Sequence, residues 1–126
     1  MKLVLMAALG GAVGAAGRYL VGIGAMRLLG SGFPWGTLIV NVAGCLVMGL
    51  LIEAFALRYS VSNEARTLLT TGILGGFTTF SAFSLYFAVL IERKAHGFAA
   101  LYLGASVGFS ILALFAGLSI ARAALQ

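Results

Sequence analysis

The sequence predicts an all-α membrane protein: a single transmembrane domain spanning residues 1–126, built from four membrane-crossing helices. Three observations carry this. The chain is 62% hydrophobic and only 9% charged, where soluble domains carry about 25% charged residues. A hydrocarbon core of about 30 Å is crossed by about 20 apolar residues in a helix, and four stretches of this chain are that long. Only short polar breaks separate them, and no linker divides the chain into further domains.

The first span is read as residues 3–29, Leu3 to Leu29. Lys2 followed by Leu3–Leu9 and the small residues Gly10–Gly17 imitates a secretory signal with a cleavage site near Ala12 to Ala16. Cleavage would leave Tyr19–Leu29, too short to cross a bilayer, so the uncut run is taken as a span. The second runs over 35–57 behind Pro34, the only proline; the third covers 65–91 and the fourth 97–121. The breaks Gly30–Pro34, Arg58–Glu64 and Glu92–His96 are short enough to make sequential helices antiparallel, so both termini face one side.

Small residues let helices approach closely in lipid. The spacings Gly10-xxx-Gly14 and Gly104-xxx-Gly108 therefore predict tight packing of the first and fourth spans. The third span reads TTGILGGFTTFSAFS around Gly72, Gly75 and Gly76, where an uninterrupted helix would carry Ala or Leu. It is predicted to break near its middle. Such breaks survive at membrane depth only where protein or a polar cavity satisfies the freed backbone, and they commonly mark ion sites. The alternative is a close-packing glycine stretch whose hydroxyls bond back to their own helix.

The net charge is +5, but the basic residues lie scattered at span ends, which excludes a nucleic-acid partner and points to topology and lipid headgroups. On the side of the termini lie Lys2, Arg58, Arg66 and Arg122; opposite lie Arg27, Arg93 and Lys94. Four against three is almost no bias. It admits insertion in both senses and pairing of two copies about an axis in the membrane plane; the alternative is a single orientation set by Lys2. Cys45 is the only cysteine, so neither an internal disulfide nor a cysteine metal cluster exists, and a buried, inert thiol is expected.

Polar groups inside spans are costly, so each raises a functional reading beside a structural one. They are Arg18, Asn41, Thr78, Thr79, Ser81, Ser84, Tyr102, Ser106 and Ser110, with Glu53 close enough to a span end to snorkel. No carboxylate lies clearly at mid-membrane, which argues against proton-coupled exchange. Phe77, Phe80, Phe83 and Phe87 form a helical stripe. Phenyl edges are the positive part of the ring quadrupole and suit contact with an anion, although such stripes also serve packing. A small, strongly hydrated anion needs donors to replace its water, and the Asn41 amide and the hydroxyls supply them without the grip of a fixed charge. Arg18 either raises the local anion concentration or makes a structural bond to carbonyls. Asn41 has an interhelical hydrogen bond as its alternative.

These residues resemble the Fluc (CrcB-type) fluoride channels. The resemblance rests on Gly17-Arg18-Tyr19, on WGTLIVN from Trp35 to Asn41, on GGFTTFSAFS from Gly75 to Ser84, and on LYLGAS from Leu101 to Ser106, so it touches all four spans. It implies a dual-topology antiparallel homodimer in the bacterial inner membrane. Two pores per dimer would export cytoplasmic fluoride passively. A structural sodium ion at the two-fold axis would be held by the carbonyls of Gly75 and Thr78. The same resemblance implies Phe80 and Phe83 as the ring contacts and Asn41, Thr79, Ser81, Ser84, Tyr102 and Ser106 along the polar path. Tyr86 stands where several relatives carry glutamate. A small multidrug exporter matches this plan, but it needs an acid in the first span, and Leu3–Leu29 has none. A non-transporting membrane scaffold is the remaining alternative, and none of these readings is an enzyme.

Overall fold

The computed structural model describes residues 1–126 and is helical throughout, with no strand. Four helical crossings are long and apolar enough to span a membrane: Lys2–Leu29, Trp35–Leu57, Asn63–Glu92 and His96–Leu125. The chain is a multi-pass membrane protein. Only 17 of 126 residues are buried, and large apolar side chains from Leu3 to Ile120 lie on the outside. Such a surface is stable only against lipid or another apolar chain.

Helix α1 (Lys2–Leu29) ends where Gly30 takes φ +82° and its amide returns to the Met26 carbonyl. That left-handed backbone is open to glycine at no steric cost. Helix α2 (Trp35–Leu57) starts directly after Pro34, whose ring fixes the entry into the first turn. The third crossing is assembled from pieces: α3 (Asn63–Arg66), a π-helical stretch over Thr67–Leu74, α4 (Gly75–Phe77) and α5 (Ser81–Glu92). Ser62 caps α3 by accepting from the Ala65 amide at 3.1 Å. Between α4 and α5, Thr78 is extended, with φ −88° and ψ 158°. Helix α6 (His96–Leu125) runs beyond Ala121 to Leu125, so it is longer than the apolar run alone predicts. The Arg58 guanidinium donates to the Leu125 carbonyl, and Arg122 pairs with Glu53 at 3.1 Å, so this last turn is tied to α2.

Two seams hold the bundle. Helix α1 lies along the π-helical stretch and α4, where a Cβ at Gly14 would strike the Ile73 carbonyl. Helix α2 lies along α6, where a Cβ at Gly49 would strike the Leu114 carbonyl and one at Gly117 the Leu46 carbonyl. The expected tight packing between the first and fourth spans is therefore corrected. Gly10 and Gly14 face the third crossing, whereas Gly104 and Gly108 face open space. The small residues that α6 buries are Ala99, Ser106, Gly117 and Ala121, and of these Gly117 meets the backbone of α2. Phe33, Phe83, Leu90, Ala99 and Tyr102 close an apolar cluster at the other end of the bundle.

Candidate functional site

Thr78 leaves helical geometry in the middle of the bundle, and the exposed backbone must find partners. Asn41 on α2 supplies two. Its Nδ2 donates to the Thr79 carbonyl at 2.9 Å, and its Oδ1 accepts from the Thr79 amide at 2.7 Å. One Asn41 N–H remains beyond the pair. Arg18 on α1 donates Nε to the Gly76 carbonyl at 3.0 Å. Thr78 Oγ1 bonds back to the Leu74 carbonyl, and Thr79 Oγ1 accepts from the Ala82 amide, capping the first turn of α5. Ser81 Oγ lies 3.2 Å from Thr79 Oγ1.

Beside this segment opens a cleft of about 290 Å³, lined by Asn41, Cys45, Thr78, Thr79, Phe80, Phe83, Ser106, Val107, Ser110 and Ile111. No charged residue lines it. The structure thus brings together Asn41, Thr78, Thr79, Phe80, Phe83, Ser106 and Ser110 out of the sequence-predicted set. It leaves Arg18 outside the cleft, on the Gly76 carbonyl, and leaves Ser81 and Ser84 exposed on the outer surface of α5. The two phenyl rings differ. Phe83 is 6% exposed and packs 5.1 Å from the Tyr102 ring; Phe80 is 75% exposed, with its centroid 5.4 Å from that of Phe83. Cys45, expected to be buried and inert, is half-buried on the cleft wall.

Tyr102, Ser106 and Ser110 stand at four-residue spacing on one face of α6, and all three hydroxyl oxygens are buried with no hydrogen-bond partner. An unpaired buried hydroxyl costs about 1–3 kcal/mol, so three in a row leave hydrogen-bonding capacity that the chain itself does not use. Tyr102 is fully buried beneath Phe83, so the row leads from the cleft into the bundle.

The carbonyls of Gly75 and Thr78 accept no hydrogen bond: the amide of Thr79 goes to Asn41 and that of Ala82 to Thr79 Oγ1. Neutral carbonyl oxygens freed from a helix suit a hard monovalent cation such as sodium.

A helical membrane bundle with an uncharged cleft of mixed apolar and hydroxyl or amide lining, beside an interrupted crossing, suits the class of proteins that pass small solutes through a bilayer. The family described as "CrcB-like protein, Camphor Resistance (CrcB)" matches residues 5–118, and the chain belongs to it. It is 60% identical over 122 residues to a protein of Chelativorans sp. named "Fluoride-specific ion channel FluC", covering 97% of this chain and 98% of that one. Proteins of the same name from Agrobacterium fabrum and Caulobacter vibrioides are each 53% identical, over 119 and 123 residues. The first match covers 94% of this chain and 95% of the relative; the second covers 97% of both.

Proposed function

We propose that this chain is a fluoride-selective channel that lets fluoride leave the cell passively across the bacterial inner membrane. The observation that carries the reading is the row of unpartnered hydroxyls on Tyr102, Ser106 and Ser110 leading from the cleft. Fluoride is small and strongly hydrated, and it enters only where donors replace its water; hydroxyl rotors do so without the tight hold of a fixed cation. Phe80 and Phe83 line the same space, and the edge of a phenyl ring is the positive part of its quadrupole, suited to contact with an anion. The relatives named as fluoride channels support the substrate.

Two copies inserted in opposite senses form the working unit, with each cleft walled on its open side by the partner. The interruption at Thr78 then brings the Gly75 and Thr78 carbonyls of both copies to one axial sodium ion, which holds the subunits together. The near-equal distribution of basic residues and the unbonded state of these carbonyls support this arrangement. Ser81 and Ser84, exposed on α5, are the groups that would reach the partner's pore. Reconstituted in liposomes, the protein is expected to pass fluoride and hold back chloride; equal rates for the two anions would overturn the reading.

A further inference from the structure

Cys45 lies one helical turn beyond Asn41 on α2, so both side chains face the same cleft. It is half-buried, and as the only cysteine it has no disulfide partner. A second observation marks the cleft as a place for a guest: Ser106, only 5% exposed, turns an unpartnered Oγ into it. The other donors there are hard oxygens, which by themselves do not hold a soft ion; the thiol is the one soft donor.

We infer that Cys45 is a binding site for a soft monovalent d10 cation, and that its occupation closes the anion path. The inference rests on reading the cleft as that path. With Ag+ the step is Cys–SH + Ag+ → Cys–S–Ag + H+. The Sγ–H bond breaks, an Sγ–Ag bond forms, the proton leaves to water and no electron is transferred. Metal coordination drives this deprotonation even where the free thiol stays protonated. A metal fixed there leaves the site without net charge, because the proton departs as the cation binds, and it closes the path by filling the space next to Asn41.

The test uses the full chain in liposomes, in chloride-free nitrate buffer, with fluoride efflux followed by electrode before and after adding Ag+. The parent is expected to lose efflux by about tenfold or more, because multi-site conduction stops once one site is blocked. An added thiol chelator should restore it. Cys45→Ser and Cys45→Ala, each referred to its own silver-free rate, should keep theirs. Native mass spectrometry should find one silver per parent chain that both variants lack. A parent that binds no silver, or variants as sensitive as the parent, would overturn the site. A silver adduct on Cys45 with undiminished efflux would take the thiol off the path while leaving the channel reading intact. A parent that passes no fluoride without silver would fail the channel reading itself, and the adduct would still decide whether Cys45 holds the metal.

Discussion

Asn41 and Thr79 grip each other twice across the bundle: Nδ2 donates to the Thr79 carbonyl at 2.9 Å and the Thr79 amide donates to Oδ1 at 2.7 Å. The side chain therefore stands in for the helical partners that the extended Thr78 takes away from its neighbour. Asn41→Asp keeps the acceptor and the size but loses the donor, and it sets a carboxylate against a carbonyl. On size alone folding would be undisturbed; with this pair in view, the loss should cost about 1–3 kcal/mol. Thermal unfolding in detergent reads the cost, and fluoride efflux should fall by about tenfold or more, since a negative charge now borders the path. A variant with parent-like stability and efflux would show that the pair matters to neither.

The seam between α2 and α6 is set by backbone contact. Gly49→Ala would drive a Cβ into the Leu114 carbonyl, whereas Gly104→Ala meets nothing within 4 Å. The first should destabilise by about 1–3 kcal/mol, as overpacking does; the second should leave stability unchanged. Apparent melting temperatures of both variants in one detergent check the contrast.

Phe80 and Phe83 separate packing from anion contact. Replacing Phe80 by Ile removes the ring at a site that is 75% exposed, so stability should hold while efflux falls. Phe83→Ile should lose efflux and also about 0.5–1.5 kcal/mol of aromatic packing on Tyr102. Efflux per amount of assembled protein recovered from gel filtration decides this. Parent-like rates in Phe80→Ile would remove its ring from the path.

The unpartnered hydroxyls give a test by sign. A hydroxyl that holds the fold costs stability when deleted, but Tyr102 Oη and Ser106 Oγ make no hydrogen bond of good geometry in the protein, with the Thr37 hydroxyl beside Tyr102. Tyr102→Phe and Ser106→Ala should therefore be neutral or stabilising by up to about 1 kcal/mol, while efflux drops. Denaturant midpoints and efflux rates measured on the same preparations check both halves. Destabilisation in both variants would make the row structural.

The four crossings were legible because hydropathy and length alone mark a membrane helix: α2 starts at Trp35 and ends at Leu57, as its apolar run does. The end of α6 was not legible. It continues through Arg122 because Glu53, 69 residues earlier, waits across the seam. Glycine spacing shows that something approaches closely but not what: Gly104 and Gly108 carry the pattern and touch nothing, whereas Gly49 finds its partner on α6. Polar residues in apolar spans stood out one by one. Which of them share a cleft depends on helix rotation, which turns Cys45 inward and Ser84 outward and which no single-span pattern encodes.

The most direct measurement is electrogenic fluoride efflux from liposomes loaded with potassium fluoride, with pH equal on both sides. A passive channel moves a net charge, so efflux should be negligible until valinomycin lets potassium leave alongside the fluoride, and rapid immediately afterwards. Efflux that ignores valinomycin and starts only when a proton gradient is imposed would contradict the channel and make the protein a proton-coupled exchanger.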